Sequence, residues 1–328
     1  MTRKSRFWIL LVLISLFATS APLVILYAQG WRINLESLRI EKVGGIFLSL
    51  QDADVTIKLN GQIIPPASPN ISSGIFISNL LPKTYDIEIT KPNYQAWKKT
   101  FSVKPSLVTE SIPIILVPEE PKLTLIRNGV TDFQFQNDFL IWRDYNQHFF
   151  LTSPENLDSA LNLTLLFNHL KQTQLELLGF TNLTEIFQKS ANEFLVKTQK
   201  ARYLLDTKKL TLEKTSELPT PAVSDLTSPN QSKIATSTDN GLALLVDRVR
   251  YNLEFPNASS IRSFNWYKDS EHLILEYPKA LYLAELDTRS TIGIFKLFYD
   301  VLKYHYDSEN DRLYVLTTSG DLSYWNFE

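Results

Sequence analysis

Few residues of this chain are of a type and spacing that could do chemistry. The four histidines, His148, His169, His272 and His305, stand far apart, and none lies in an H-E-x-x-H run, the spacing that sets two imidazoles and a base on one helical face. With no cysteines at all, thiol nucleophiles, Cys-ligated zinc, disulfides and a lipidated-Cys anchor are excluded together. No G-x-S-x-G turn offers a hydrolase serine. Only 10 glycines occur, in neither G-x-G-x-x-G nor G-x-x-x-x-G-K-[ST] order, so no loop is available to cradle a phosphate. The acidic run "DSENDR" at 307–312 lacks the glycine and ligand spacing of a calcium loop and reads as a solvated turn. The expectation is therefore no catalytic residue, no metal and no cofactor.

Residues suited to binding remain. Tyr94 and Trp97 offer either packing over a core or an interaction surface. Lys98-Lys99 and Lys208-Lys209 are short charge runs expected on exposed strands, too short for a nucleic-acid patch. Lys plus Arg number 33 against 35 Asp plus Glu in 328 residues, so no net field favours nucleic acid. N-x-[ST] sequons at Asn70, Asn162, Asn182 and Asn257 matter only in a glycosylating source.

Elements must hold these residues, and the first is apolar. No charge occurs between Arg6 and Arg32, and from Phe7 to Tyr27 nearly every residue is apolar or small. As a helix at ~1.5 Å per residue this run covers a hydrocarbon core of roughly 30 Å. Trp8, Tyr27 and Trp31 lie near its ends, where amphipathic rings favour the interface, and Pro22 is a defect that membrane helices tolerate. The competing reading is a cleaved signal peptide with Ala18-Thr19-Ser20 at the cut, but "LVILY" carries the apolar run past that point. Arg3, Lys4 and Arg6 precede the span and Arg32, Arg39 and Lys42 follow it, so basic residues flank both ends. The reading adopted is a single-pass anchor in the cell membrane, spanning Phe7 to Tyr27, with a cytoplasmic N-terminus and the bulk extracytoplasmic.

From Gly44 the period is two. Ile46, Leu48 and Leu50, then Val55, Ile57 and Leu59, alternate with residues of the other face, and Asn60-Gly61 predicts a hairpin turn with positive φ. Short strands are expected at Ile75–Ile77, Tyr85–Thr90, Ala96–Val103 and 107–117. Tyr85, Ile87 and Ile89 share one parity, as do Trp97, Phe101 and Val103. Six or seven short strands broken by Pro, Asn and Gly predict a small β-sandwich.

"GGIFLSL", "VTIKLNG", "NLLPKTYDIEITKPNYQAWKKTFSVKP" and "IPIILVP" resemble a PEGA domain, a small β-sandwich of bacterial surface and envelope proteins. Leu81, Pro82, Tyr85, Ile87, Ile89, Tyr94 and Trp97 match the second half of its pattern. The name-giving turn is Gln51-Asp52-Ala53-Asp54, which keeps only the Ala, and Lys83 stands where Gly is usual, so the geometry of both turns is in question. The resemblance covers about a quarter of the chain and implies a non-catalytic extracytoplasmic interaction module.

Beyond Glu119-Glu120-Pro121 a repeat appears. Apolar strands centred near Leu195, Ala235, Leu275 and Val315 recur at about 40 residues, the length of one propeller blade, and a related unit lies near Ile141. Leu157, Leu161 and Leu165 suggest an inserted helix. The turns at Ser228–Ala235, Trp266–Leu273 and Tyr306–Leu313 are similar to the S-P-D-G-K-x-I-A signature of WD40-like, TolB-type propeller repeats, and are expected to hold units together rather than to form active sites. A meander of stacked hairpins is the structural alternative.

The expected architecture is all-β behind a transmembrane helix: 1–6 cytoplasmic tail, 7–29 span, 30–43 membrane-proximal linker, 44–118 PEGA-like sandwich, and 119–328 propeller-like repeats with a short helical insertion. The expected role is non-catalytic binding or support, with the membrane as one partner and envelope proteins or cell-wall polysaccharide as others. The alternative is an anchored propeller enzyme, such as a glycan hydrolase using two convergent carboxylates. A third form, soluble after cleavage, would lack the first residues.

Overall fold

The computed structural model describes residues 3–34, 38–50, 52, 54–65, 74–136, 139–154, 156–175, 179–216, 227–238, 241–246, 248–253, 255, 257–287 and 289–327. The turn residues Gln51 and Ala53, the sequon residue Asn70 and the first two residues of the basic tail lie outside them. The chain divides into two compact units, Met1–Glu120 with Ala284–Phe295, and Pro121–Leu283 with Lys296–Glu328. The segment Ala284–Phe295, expected to belong with the repeats, is thus compact with the first unit.

Helix α1, Arg3–Ala28, opens the first unit. Its stretch Phe7–Ala28 is long and apolar enough to cross a membrane, and none of it is buried. The Thr19 hydroxyl bonds to the helix's own backbone: its Oγ1 donates toward the carbonyls of Ser15 and Leu16 at 3.0 and 2.9 Å, which satisfies one polar group on an apolar surface. Next come strands Trp31–Asn34 and Arg39–Lys42, an antiparallel hairpin. The region expected to be a linker is therefore paired strand.

Behind it lie two sheets. One is three-stranded, with Gly44–Leu48 between Ile75–Leu80 and Val108–Glu110. The other is four-stranded, in the order Gln62–Ile64, Thr56–Leu59, Thr84–Thr90, Trp97–Ser102. The predicted alternation builds them: Tyr85, Ile87 and Ile89 are buried on one strand, Trp97 and Phe101 on the next. Asn60 and Gly61 take φ of 49° and 80° as the hairpin requires. Lys83 is absent from the positive-φ residues, so a side chain at that turn carries no backbone strain. The expected strand at 107–117 pairs only over Val108–Glu110, in parallel with Gly45–Phe47. Pro113 and Pro118 have no N–H to give a ladder, and the chain makes isolated bonds instead, such as Ile114 N–H to the Ser49 carbonyl at 2.8 Å.

Five further antiparallel sheets follow, two strands of sheet IV running past the bounds of the second unit. Sheet I comprises Val130–Gln136, Phe139–Asp144, Phe149–Ser153 and Asn156–Asn162. Sheet II comprises Leu183–Gln188, Glu193–Thr198, Arg202–Asp206 and Thr211–Thr215. Sheet III has Lys233–Thr238, Gly241–Val246 and Val249–Leu253, with Thr227 bridging to Ile234. Sheet IV has Ser263–Trp266, His272–Tyr277, Ala280–Glu285 and Ile294–Tyr299. Sheet V has Val301–Asp307, Arg312–Thr317 and Leu322–Asn326. Its fourth strand, Thr124–Arg127, comes from the start of the unit and pairs with Leu322–Tyr324.

The predicted 40-residue recurrence falls on one strand per sheet: Ile141, Leu195, Ala235, Leu275 and Val315 are each buried. Neighbouring sheets share apolar cores. Val130, Phe133, Leu140 and Trp142 of sheet I pack with Tyr314, Leu316 and Leu322 of sheet V, and Ile141, Phe149 and Leu151 pack with Leu183, Ile186, Phe194 and Val196 of sheet II.

The inserted helix is shifted. Leu157 and Leu161 lie on the strand Asn156–Asn162, and helix α2 runs Leu163–Gln174. Asn162 caps it, its side chain accepting from the Leu165 N–H at 2.9 Å. The buried stripe is Leu163, Phe167 and Leu170, at i, i+4 and i+7, while Leu161 and Leu165 are exposed.

Candidate functional site

The histidines stay apart. The half-buried His148 has Nδ1 3.8 Å from Asp144, and His169 sits on α2. His305 stacks on Phe135 with ring centroids 4.6 Å apart. His272 is fully buried, its Nδ1 2.6 Å from Asp269 Oδ2. Burial pushes the Asp269 carboxyl up, but the His272 ring and two backbone N–H groups outweigh it and hold the group below its usual range. Among the described residues no group of three or more His, Asp or Glu could hold a metal ion.

The turns between strands form a ladder within the second unit. Ser228 Oγ accepts from the Lys233 N–H at 3.0 Å, the Asn230 N–H reaches Ser270 Oγ at 3.1 Å, and Lys233 Nζ donates to the Ser270 carbonyl at 3.0 Å. The next turn continues the pattern: Tyr267 Oη and Lys268 Nζ donate to Asp311 Oδ2 at 3.1 and 2.7 Å, and Tyr306 Oη donates to Asp311 Oδ1 at 2.8 Å. Burial first, and then the Asp311 carboxylate, push both phenols far up, so they remain donors. Asp307 Oδ1 accepts from the N–H groups of Glu309 and Asn310 at 3.0 and 3.2 Å. The acidic run is thus spent on turn closure and latching. Lys208 and Lys209 fall in a turn rather than a strand, their N–H groups bonded to Asp206 Oδ1 at 2.9 and 2.8 Å.

Of the two readings of Trp97 the structure gives packing in the core, and Lys99, expected on an exposed strand, is buried as well. Trp97 is 0% exposed, so it presents no platform, and its indole N–H donates to Glu285 Oε1 at 2.5 Å. Lys99 is buried beside it, with Nζ 3.2 Å from Glu285 Oε2 and 3.6 Å from Asp287 Oδ2. Arg289 Nε and Nη2 donate to Asp287 at 2.8 and 2.9 Å. Burial raises the Asp287 carboxyl, but bonds from Arg289 and the Lys99 charge win and lower it. Gly293 makes room for this cluster, since a Cβ there would stand 2.5 Å from Glu285 Oε2. The parity signal existed in the sequence: Lys99 lies between Trp97 and Phe101 on their own face. Tyr94 is half-buried, with Lys91 Nζ 4.2 Å from its ring centre.

Two clefts of about 490 Å³ flank these features. The first-unit cleft is lined by Asp86, Glu88, Lys98 and Thr100 among others, and its carboxylates are engaged. Asp86 accepts from Thr100 Oγ1 at 2.7 Å, and Glu88 pairs with Lys58 and Lys98 at 3.0 and 2.9 Å. The second-unit cleft is lined by Tyr277, Tyr282, Tyr299, Asn257, Lys279 and Asp300, with Ser260, Pro278 and Ala280. Turns at the strand ends build it. Asn257, Lys279 and Asp300 all take left-handed φ, at 50°, 62° and 56°, a conformation that costs free energy and gathers at functional surfaces. Tyr277 and Tyr282 meet edge to face at 5.1 Å, and Tyr299 is 62% exposed with Lys296 Nζ 4.4 Å from its ring centre. Burial and the neighbouring Tyr282 push the Tyr277 phenol up, which keeps it a donor. Three rings with hydroxyl, amide, ammonium and carboxylate groups can stack on a ligand's apolar face while bonding its polar edge. Spacing in the sequence gave no hint of this group, since its members come from three separate chain segments.

No protein-family model and no curated protein sequence matches the chain. Among solved structures it is similar to PorZ, a surface component of the type-IX secretion system of Porphyromonas gingivalis, at 10% identity over 75% of this chain and 36% of that one, TM-score 0.24. It is also similar to the tricorn protease, at 12% identity over 75% of this chain and 25% of that one, TM-score 0.23, and to Hsv2 of Kluyveromyces lactis, at 8% identity over 86% and 73%, TM-score 0.24. The chain spans about a third of the first and a quarter of the second. At such TM-scores these likenesses carry no weight for function.

Proposed function

We propose that this is a single-pass membrane-anchored envelope protein, cytoplasmic at its N-terminus, whose strand-built bodies bind rather than catalyse. One observation carries the reading: a 22-residue apolar helix with no buried face joined to a chain whose other elements, one helix and one short 3-10 turn apart, are strands. Such a surface is uncovered by the described residues, and lipid is the partner its length fits. We assign the first unit to a PEGA-like sandwich. In support, Tyr85 lies inward and its hydroxyl donates to the Leu81 carbonyl at 3.1 Å, tying the Leu-Pro turn to the strand as a tyrosine corner does. We read the second unit as a five-bladed propeller. Its support is the 40-residue recurrence and the pairing of its first strand, Thr124–Arg127, with its last, Leu322–Asn326, a device that closes rings of blades.

The tyrosine cleft suits a cell-wall glycan. Its aromatic faces can cover the C–H face of a sugar ring, and its charges, one Lys and one Asp, balance. The test uses the full chain. In a bacterial host, alkaline extraction should leave it in the membrane, and protease added to spheroplasts should digest the body from outside. Detergent-solubilised chain should be retained on insoluble cell-wall polysaccharide, and Tyr282→Ala/Tyr299→Ala should lose retention while unfolding at the same temperature. Recovery in the aqueous fraction would overturn the anchor, and equal retention of the double variant would overturn the glycan site.

A further inference from the structure

The hairpin after α1 has two unlike faces. Its register pairs Trp31 with Lys42, Arg32 with Glu41, Ile33 with Ile40 and Asn34 with Arg39. Strand alternation then places Trp31, Ile33, Ile40 and Lys42 on one face, and Arg32, Asn34, Arg39 and Glu41 on the other. The polar face is bonded both within itself and beyond, Asn34 Nδ2 donating to Glu41 Oε2 at 3.1 Å and Arg32 Nη2 to Asn79 Oδ1 at 3.2 Å. The other face leaves its aliphatics in the open: Ile33 is 65% exposed, Ile40 60%, and Leu38 at the turn 83%. Contiguous apolar exposure of this kind marks a surface that is covered in use.

Position says what covers it. Roughly 20 helical residues cross the hydrocarbon core, so a span over Phe7–Ala28 brings Tyr27 to the lipid boundary. The hairpin starts only three residues after the helix ends. It is tied back: Arg32 Nη1 donates to the Tyr27 carbonyl at 2.7 Å, its guanidinium lies 3.6 Å from the Tyr27 ring centre, and the Val43 N–H closes on the Gly30 carbonyl at 2.9 Å. Four residues of strand reach ~13 Å at ~3.3 Å each, so both described strands stay within about that distance of the Tyr27 boundary. Lys42 Nζ lies 5.3 Å from the Trp31 ring centre, an aromatic-cation pair of the kind that sits at headgroup depth.

We infer that the paired strands Trp31–Asn34 and Arg39–Lys42 lie in the membrane interface, with Ile33, Leu38 and Ile40 against the acyl-chain boundary and the basic residues among anionic headgroups. The inference rests on α1 spanning the bilayer. Its consequence is mechanical: the helix supplies one attachment and the hairpin a second, so the first sheets leave the membrane at a set angle rather than on a free tether.

Because the chain has no cysteine, single labels can be placed without removing any. Full-length Leu38→Cys, Ile40→Cys, Arg39→Cys and Leu13→Cys, each carrying an environment-sensitive fluorophore, are reconstituted one per nanodisc in phosphatidylcholine with phosphatidylglycerol. Labels at 38 and 40 should show several-fold less quenching by aqueous iodide than the label at 39, and strong quenching by lipids carrying a nitroxide near the headgroup. Equal iodide quenching at 38, 39 and 40 with Leu13 protected would overturn the hairpin proposal alone and leave a protein partner as the cover. An accessible label at 13 would overturn the spanning helix on which it stands. Protection at 38 and 40 that needs two chains per disc would assign the face to a second copy instead of lipid.

Discussion

Lys98 and Lys99 are neighbours in the chain and opposites in the fold, and replacing each by Met should separate a decorative charge from a structural one. The Lys98 side chain is 68% exposed and pairs with Glu88 at 2.9 Å, an arrangement worth at most ~1 kcal/mol. Lys99, Glu285 and Asp287 have side chains 1%, 1% and 3% exposed. Lys99→Met leaves the Glu285 carboxylate buried with the Trp97 N–H as its one bonded partner among the described residues, and an uncompensated buried charge costs ~3–5 kcal/mol. The two units need not unfold together, so the readout should be local: amide hydrogen exchange in peptides covering Trp97–Ser102. At about tenfold per 1.4 kcal/mol, exchange there should accelerate between roughly a hundredfold and a few thousandfold in Lys99→Met, and within about fivefold in Lys98→Met. Adding Glu285→Gln removes the stranded charge yet keeps an acceptor for Trp97, and should recover at least ~1.5 kcal/mol. An acceleration below about tenfold in Lys99→Met, or a double variant worse than the single, would refute the idea that this ammonium neutralises buried carboxylates.

The turn latch predicts that Asp311→Ala strands the buried phenols of Tyr267 and Tyr306, at ~1–3 kcal/mol for each lost acceptor. Exchange should rise in both Ser263–Trp266 and Val301–Asp307, and a rise confined to one of them would refute a shared anchor. His305 predicts a pH dependence. Burial against Phe135, helped by Lys303 and opposed by Asp307, lowers its imidazole from 6.5 to about 4. Between these values the unfolded chain holds the proton and the folded one does not, so stability is full above pH 6.5 and falls as pH drops toward 4. The full shift is worth ~3 kcal/mol, and because the ring is partly exposed, solvent screening reduces the expected loss to ~1–2 kcal/mol. Urea titrations of the full chain at pH 7.5 and 4.5 should show that loss, and His305→Gln should lack it; parallel losses in both chains would refute the assignment.

Local periodicity made most of the strands legible. Period two survives wherever one face is buried and the other wet, as in Thr84–Thr90, with Tyr85, Ile87 and Ile89 inward. Asn60-Gly61 was readable because only residues tolerant of left-handed φ fit that turn. The 40-residue recurrence was readable because each sheet repeats one strand with a buried residue at its centre. Misreadings came where two patterns overlap. Leu157, Leu161 and Leu165 satisfy helical spacing, but Asn162 stops the strand and caps the helix between them, so the pattern straddles two elements. The segment 107–117 is apolar and strand-like in composition, yet its prolines forbid a ladder. The hairpin at 31–42 has only four residues per strand, too few for alternation to stand out.

Sites were less legible, because a site is made of residues that meet across the chain. Lys99 shares the parity of Trp97 and Phe101, and that was a warning that a charge would be buried. What would neutralise it could not be read locally, since Glu285 and Asp287 lie nearly two hundred residues on. The same holds for Asp311, whose acidic neighbours suggest a solvated turn until Tyr267 and Tyr306 are found donating to it. In both cases a carboxylate that looks free in the sequence is bound by donors from distant elements. A search for chemistry by motif thus overcounts available acids in a repeat-built β protein, where side-chain acceptors close turns and join sheets. The acids that such a fold leaves unengaged are those at strand-end turns with no such task, and Asp300, exposed beside Tyr299 in the cleft, stands at such a turn.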